Sequence, residues 1–222
     1  MKKPIISPDL FALEGPQTVD EFIGETQDHA RIFTRKAKEL NNGTKGRLVV
    51  LFHGVPGTGK SKLALMIARE LVGPVPAARH NIEKLNGQSM SVDRIRQWEE
   101  SMHYYPLYGK RIVKVVDELD KAGEAAQAEL LTCLDQGPMW WDFIATTNVP
   151  LGAILKRVTS RMQQVKVEPV PTEAVKQFLM RWIPAEPAEE LARANLGDVR
   201  GALNDAATFL DQTKYITTDK NN

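Results

Sequence analysis

Short apolar runs and longer stretches with helical spacing follow one another along the chain. Runs typical of buried strands occupy residues 48–53, 81–86, 111–119, 140–148 and 163–170. Between these runs, apolar residues recur every three or four positions, as in amphipathic helices, over residues 28–40, 60–71, 91–102 and 124–134. Strands that alternate with helices predict an α/β fold with a parallel sheet covered on both faces.

The pattern changes near residue 171, where the strand signal stops. Helical segments separated by IPAEP and NLG predict a small all-helical unit. We therefore expect a core over residues 1–168, a short helical unit over residues 169–213 and a flexible, polar tail over residues 214–222. The Pro-rich start of the chain predicts an extended lead-in over residues 1–15.

Composition narrows the class of protein. The 222 residues are 42% hydrophobic and 26% charged, which is ordinary for a globular chain, and the net charge is +1. A nearly neutral chain can contact nucleic acid only through a local basic patch. The single cysteine, Cys133, excludes an intramolecular disulfide and a zinc site built mainly from cysteine. The start lacks the apolar segment of a signal peptide and no stretch could span a bilayer, so we expect an intracellular, cytoplasmic protein without a membrane partner.

The first apolar run leads into GVPGTGKS, residues 54–61, and then into a helix. This matches the phosphate-binding pattern G-x-x-x-x-G-K-[ST], whereas a simple Gly-rich turn would need neither the lysine nor this spacing. Glycines let backbone N–H groups turn inward around an anion, and the helix dipole points at the same place. Lys60 is expected to reach the β- and γ-phosphates and Ser61 to hold Mg²⁺. The residues assigned to nucleotide binding here are Gly54, Val55, Pro56, Gly57, Thr58, Gly59, Lys60, Ser61 and Lys62.

A pair of acids ends the third apolar run. Asp117 and Glu118 follow a strand-like stretch, at the end where open α/β sheets bind ligands, although acidic pairs also end strands in solvent. Beside a phosphate loop, Asp117 is expected to hold Mg²⁺ and Glu118 to polarise the attacking water as general base. Lys114 is unusual in such a run, and we expect it to reach solvent at a sheet edge.

Further motifs follow in a fixed order: GPQTVDEFIGE, the phosphate loop, KLNGQS, the acidic pair, FIATTN, LKRVTSRMQ and GDVRGALN. With them, residues 16–210 resemble the AAA+ ATPases, and most closely the small subunits of replication clamp loaders of the replication factor C type. The resemblance implies a P-loop AAA+ core with a five-stranded parallel sheet in the order 5-1-4-3-2, together with a helical lid.

The resemblance also implies roles for single residues. The stretch Phe22, Ile23 and Gly24 would contact the base, with Ile23 assigned to nucleotide binding, and Asn86 would restrain the catalytic glutamate as a switch. Asn148 would be the first sensor, which orients the lytic water near the γ-phosphate.

Two arginines receive roles from the same resemblance. Arg161 would project into the active site of a neighbouring subunit, in a motif where Met162 replaces the usual cysteine, and Arg200 would lie over the phosphates from the lid. Taken alone, each of these residues also fits a local role: Asn148 as a turn cap, Arg161 as a surface cation, and Arg200 as a partner of Asp198.

The candidates for DNA contact are weaker. Arg96 matches an arginine that clamp loaders direct towards DNA, and Arg94 is close to it in sequence, but both also fit the solvated face of an amphipathic helix. The basic run at residues 35–38 is less specific. We expect such contacts to be weak and sensitive to salt.

Together these features predict an oligomeric, ATP- and Mg²⁺-dependent AAA+ ATPase that acts like a clamp loader in DNA replication or repair. The alternatives are a helicase loader, a branch-migration or phage-type motor, or a nucleotide-dependent scaffold that hydrolyses poorly. The expected partners are other AAA+ subunits, DNA and a DNA-linked protein such as a sliding clamp. Clamp-loader subunits usually carry a helical collar after the lid, for which the residues after 210 are too few, so we expect assembly to depend on nucleotide.

Overall fold

The computed structural model describes the backbone of residues 7–219 and their side chains, apart from those of Asp9, Leu10, Leu13 and residues 214–219. The chain forms two compact units. The sheet unit consists of residues 29–54 and 60–167, and the helical unit consists of the described parts of residues 1–28, 55–59 and 168–222.

A parallel sheet of five strands forms the centre of the sheet unit. The strands are β1 (Val49–His53), β2 (Ile82–Asn86), β3 (Ile112–Asp117), β4 (Trp141–Thr147) and β5 (Gln163–Lys166). Their order across the sheet is β2-β3-β4-β1-β5, and every neighbouring pair is parallel. This confirms the predicted order 5-1-4-3-2, read from the opposite edge.

Helices flank these strands along the chain. They are α2 (Glu25–Asn41), α3 (Lys60–Val72), α4 (Val92–Met102), α5 (Glu124–Gln136) and the short α6 (Lys156–Thr159). In one part of the core, Trp98 of α4 and Leu130 of α5 pack with Trp141 and Phe143 of β4, all of them nearly or fully buried. Cys133 is fully buried in the same cluster, and burial raises the pKa of its thiol to about 12.

The prediction that Lys114 reaches solvent at a sheet edge is wrong. Its strand, β3, lies between β2 and β4 and not at a sheet edge, and the residue is 7% exposed. Its cross-strand neighbour on the edge strand β2 is Glu83, whose Oε2 accepts from Lys114 Nζ at 2.6 Å and from Trp98 Nε1 at 2.9 Å. A buried ammonium is stable only with such a partner, so the pairing takes the place of the expected escape to solvent.

A second buried ion pair lies near the amino ends of β3 and β4. Arg111 donates from Nε to Asp142 Oδ2 at 2.7 Å and from Nη2 to Oδ1 at 2.8 Å. Asp142 Oδ1 also accepts from the backbone N–H of Leu48 at 2.7 Å, and Arg111 donates to the carbonyl of Gly46 at 3.0 Å. The pair therefore joins three neighbouring segments of the sheet unit.

The helical unit contains α1 (Pro8–Glu14), α7 (Thr172–Leu179), α8 (Ala185–Ala194) and α9 (Val199–Asp219). Phe11 of α1 packs edge-on against Phe178 with 5.3 Å between ring centroids, and its ring lies 5.9 Å from that of Trp182. The three helices predicted beyond residue 171 are present as α7, α8 and α9.

Two predictions about the ends of the chain need correction. The lead-in expected to be extended over residues 1–15 is helical over Pro8–Glu14, and residues 1–6 lie outside the described part. The backbone of residues 214–219 belongs to α9, where a tail was expected, and residues 220–222 lie outside the described part. Among the described residues, no helix is both long enough and apolar enough to cross a bilayer.

Candidate nucleotide and magnesium site

The loop of residues 54–61 connects β1 to α3, and two of its glycines, Gly54 and Gly57, have no room for a side chain. Gly54 has a φ of 145°, and a Cβ there would overlap the carbonyl oxygen of Val167. Gly57 has a φ of 74°, and a Cβ there would overlap the Asp198 carboxylate. Both positions therefore favour glycine because φ is positive, and because a backbone carbonyl at Gly54 and a carboxylate at Gly57 occupy the space of a Cβ. Backbone N–H groups in such a loop can turn towards an anion.

Contacts inside the helical unit fix the conformation of the loop. Thr26 Oγ1 donates to the carbonyl oxygen of Thr58 at 2.9 Å, and Thr58 Oγ1 donates to that of Val55 at 3.2 Å. The ring of Phe22 lies against Gly59, and a Cβ added to Gly59 would come within 3.3 Å of this ring. Phe22 is buried, at 4% exposed, so it supports the loop backbone.

Asp198 joins the loop to the start of α9. Its Oδ1 accepts from the backbone N–H of Gly201 at 2.9 Å, which caps the helix, and its carboxylate lies against Gly57. Arg200 is exposed in the first turn of α9. The helical unit thus contains the central loop residues, Arg200 and Ile23, which is partly buried against the apolar cluster of this unit.

The sheet unit brings together the two predicted magnesium ligands. Ser61 in the first turn of α3 donates from Oγ to Oδ1 of Asp117, the last residue of β3, at 2.6 Å. Thr146 of β4 also donates to Oδ1, in a short hydrogen bond, and Lys84 Nζ lies 3.8 Å from Oδ2. Lys60, one residue before Ser61, is buried at 4% exposed, and Lys62 follows in the same turn.

Glu118, next along the chain, has a left-handed backbone with φ 56° and ψ 55°. Its Oε2 accepts from Lys121 Nζ at 2.7 Å and from Asn86 Nδ2 at 3.0 Å, and its Oε1 accepts from Asn148 Nδ2 at 3.4 Å. These hydrogen bonds, the one from Lys121 first, lower the pKa of the Glu118 carboxyl below its usual value. The structure therefore gathers three residues predicted from the sequence at the carboxyl end of the sheet.

Sequence reasoning missed Thr146, Lys84 and Lys121. The sheet register aligns Val116 with Ala145, which places Thr146 beside Asp117. Only the strand order and register reveal this neighbour, since the FIATTN motif assigns a role to Asn148 and none to Thr146. Lys121 lies three residues after Glu118, but this spacing predicts a contact only when the conformation of the turn between them is known.

The oxygen donors at this end of the sheet suit Mg²⁺. Mg²⁺ prefers oxygen ligands and usually keeps several waters, binding to one or two protein oxygens and to substrate phosphates. A hydroxyl and a carboxylate in contact, those of Ser61 and Asp117, supply such a pair. Among the described residues, no group of three or more His, Cys, Asp or Glu side chains could hold a metal alone. The donors thus fit a metal that is shared with a phosphate ligand.

Arg161 lies at the other end of the sheet unit. It precedes β5, and its Nε donates to Oδ1 of Asp135 in the last turn of α5 at 2.5 Å, while its Nη1 donates to the carbonyl of Arg157 at 2.7 Å. The last turn of α5 leads into the start of β4, whereas Asp117 ends β3. The fold therefore does not bring Arg161 to the acidic pair of its own chain.

The two arginines considered for DNA contact both face acids. Arg94 Nη1 lies 3.6 Å from Glu83 Oε1, and Arg96 Nε donates to Glu129 Oε1 at 2.9 Å. Both arginine side chains are about half exposed, at 47% and 60%. Each arginine of α4 therefore lies beside an acid of a neighbouring element, Glu83 of β2 or Glu129 of α5, and this negative charge weakens the attraction of the cation for a phosphate.

Comparison with known proteins adds to this geometry. Residues 50–169 match the family described as "ATPase family associated with various cellular activities (AAA)". The chain is 29% identical over 215 residues to replication factor C small subunit 2 of Pyrobaculum islandicum, a match that covers 92% of this chain and 64% of the relative. It is 26% identical over 187 residues to human replication factor C subunit 4, covering 77% of this chain and 50% of that protein. The chain thus spans less than two thirds of the length of these relatives.

Solved structures show the same fold. A RuvB variant from Thermotoga maritima superposes with a TM-score of 0.72 over 91% of this chain and 67% of the other, at 20% identity. A protein related to the DNA polymerase III gamma subunit, also from Thermotoga maritima, matches 79% of this chain with a TM-score of 0.60. The α/β P-loop fold is therefore shared with proteins of low sequence identity.

Proposed function

The chain belongs to the AAA family of P-loop ATPases, and from this we propose that it binds ATP together with Mg²⁺ and hydrolyses it. The observation that carries the proposal is the contact between Ser61 Oγ and Asp117 Oδ1 at 2.6 Å. This contact joins the end of the phosphate loop to the acidic pair, so the predicted metal ligands already adjoin each other. Glu118 follows Asp117 directly.

Each part of the site has a proposed task in binding. The backbone of residues 54–59 and the ammonium of Lys60 bind the phosphates, and Ile23 lies against the base. Ser61 and Asp117 hold Mg²⁺, which when bound neutralises negative charge on the phosphates. The buried position of Lys60 favours this, since an ammonium away from water interacts strongly with an anion.

For the chemical step, Glu118 accepts a proton from the attacking water and Asn148 orients that water. Glu118 and Asn148 already contact each other at 3.4 Å, so a water that contacts both has little freedom to rotate. Asn86 restrains Glu118 from the side of β2. Arg200 is proposed to bind the phosphates from the helical unit.

We also propose that the ATPase acts as an oligomer in a clamp-loader-like role on DNA. The similarity to replication factor C subunits supports this role, and the position of Arg161 away from Asp117 supports action on a neighbouring subunit. The partners would be other AAA+ subunits and a DNA-linked protein such as a sliding clamp. Arg94 and Arg96 would contribute weak phosphate contacts.

Binding and hydrolysis can be separated with two variants. Lys60→Ala removes the cation that binds the phosphates, so ATP affinity should fall. Glu118→Gln keeps the shape of the side chain but replaces the basic carboxylate with a neutral amide, so ATP should bind normally while turnover falls at least about a hundredfold. Affinity is measured by calorimetry and turnover by phosphate release, with Glu124→Gln, an exposed acid on α5, as control. Wild-type turnover in Glu118→Gln would contradict the assignment of the base.

A further inference from the structure

The carboxylate of Glu118 is engaged on both oxygens in the structure. Oε2 accepts from Lys121 and Asn86, and Oε1 accepts from Asn148. A carboxylate oxygen offers two lone pairs, so the two donors on Oε2 use both of them. A water that is to be deprotonated must reach a lone pair in the same way. One half of the proposed base is therefore occupied.

Lys121 differs from the two amide donors because it carries a full charge. Its hydrogen bond to Glu118 is the shortest of the three, at 2.7 Å compared with 3.0 and 3.4 Å. A charged donor held at this distance fixes the orientation of the carboxylate and occupies a lone pair that a water would need.

The backbone conformation between Glu118 and Lys121 brings the two side chains together. Glu118 has a left-handed conformation, and a 3₁₀ turn over Leu119–Lys121 follows it. The turn is closed by the N–H of Lys121, which donates to the carbonyl of Glu118 at 2.9 Å. This turn therefore places the side chain of Lys121 beside the carboxylate of Glu118. A left-handed non-glycine residue is unusual and is often found at functional sites.

We propose that Lys121 is a positioning residue that restrains Glu118 and slows ATP hydrolysis in the resting chain, and that full activity requires its release. The inference rests on the proposed function, since it takes Glu118 to be the base. The pair is open to solvent, with Lys121 50% and Glu118 27% exposed. An ion pair of this exposure contributes little stability, so a change in the surroundings of Lys121 can break it.

The experiment compares kcat and KM for ATP in wild type, Lys121→Met and Lys121→Arg. Met keeps the length of the side chain without its charge, and Arg restores the charge. Lys121→Met should raise kcat about twofold to fivefold, the range expected for a partly exposed pair, with KM unchanged. Lys121→Arg should stay near wild type. The exposed Lys45→Met serves as the matched control, and thermal melting confirms that each variant is folded.

A double variant separates this inference from the proposed function. In Glu118→Gln, the amide has no charge to pair with, so adding Lys121→Met should leave the residual rate unchanged. A kcat in Lys121→Met that is equal to or below wild type contradicts the restraint. If wild type and Lys121→Met are both inactive although both bind ATP, the restraint is likewise contradicted, whereas an active Glu118→Gln overturns the proposed base itself. If wild type does not hydrolyse ATP and Lys121→Met does, the result supports the restraint.

Discussion

Ser61 and Asp117 are 56 positions apart in sequence, and their side chains meet in a hydrogen bond of 2.6 Å. The first belongs to the phosphate loop and the second to the acidic strand end, two motifs that were identified independently. Their contact follows from the fold, because α3 starts and β3 ends at the same edge of the sheet. A metal bound to both would complete the link between the loop and the base.

Thr146 gives a test of this arrangement. It is 2% exposed, its hydroxyl donates to Asp117, and it accepts from the backbone N–H of Glu118 at 3.2 Å. Thr146→Val keeps the shape but removes both partly buried hydrogen bonds, at a cost of about 0.5–1.5 kcal/mol each. We expect a lower melting temperature and a higher Mg²⁺ requirement for ATP turnover.

The controls for Thr146 are close at hand. Thr146→Ser retains the hydroxyl and should behave like wild type. Thr147→Val removes a neighbouring hydroxyl that donates to Asp120 at 2.6 Å, so it should affect stability without changing the Mg²⁺ requirement. Equal Mg²⁺ titrations for Thr146→Val and wild type would show that Thr146 does not support the metal site.

The residues of the candidate site that the sequence predicts are those whose motifs are local in sequence. The glycine spacing of the phosphate loop identified Lys60 and Ser61 without any tertiary information. Thr146 could not be identified in this way, since its role depends on the register between β3 and β4. Lys114 was misplaced for a related reason: its partner Glu83 lies on another strand, and only the sheet order shows them to be neighbours.

The helix α1 could not be predicted from the sequence for a different reason. Proline near its start suggested an extended chain, but proline is tolerated in the first turn of a helix. A helix of seven residues is too short to be stable alone. Phe11 stabilises it by packing against Phe178 and Trp182, residues that are distant in sequence. Local propensity could not reveal this contact.

The buried pair of Arg111 and Asp142 predicts a large effect on stability. Asp142→Asn removes the charge and leaves the buried guanidinium of Arg111 without its counter-ion, which typically costs about 3–5 kcal/mol. The free energy of unfolding is measured by urea titration. Asp135→Asn, which breaks the exposed pair with Arg161, should cost at most about 1 kcal/mol.

Cys133 supplies an independent readout of that loss. Its thiol is fully buried and its pKa is raised to about 12, so it should resist alkylation at neutral pH while the chain is folded. In Asp142→Asn, alkylation in moderate urea should begin at a lower denaturant concentration than in wild type. Superimposable alkylation and unfolding curves for the two proteins would contradict a stabilising role for the pair.

The pairing of Arg96 with Glu129 predicts an unusual response to DNA. If Arg96 contacts phosphates, Glu129→Gln should free it and strengthen DNA binding, whereas Arg96→Glu should weaken it. Each lost phosphate contact lowers the slope of log affinity against log salt by about 0.7–0.9. Fluorescence anisotropy over a salt series measures both. Arg79→Glu, an exposed arginine elsewhere in the sheet unit, is the control, and a Glu129→Gln variant without tighter binding would assign Arg96 to a solvated helix face.

Arg161 is predicted to act on a neighbouring subunit. Its pair with Asp135 lies away from the carboxyl end of the sheet, so we expect it to meet the phosphates bound by another chain. An arginine that stabilises the transferring phosphoryl group can contribute about 10³–10⁵ in rate. Arg161→Ala and Lys60→Ala should therefore each be nearly inactive alone. Mixing them should restore activity, because one chain supplies the arginine and the other the intact phosphate loop.

The mixing experiment depends on assembly, which light scattering follows with and without a slowly hydrolysed ATP analogue. A ligand bound across an interface stabilises the oligomer, so the analogue should raise the average mass of wild type. Arg157→Ala, which removes a neighbouring exposed cation, should be active without mixing. If Arg161→Ala and Lys60→Ala assemble together and remain inactive at every ratio, Arg161 acts within its own chain or not at all.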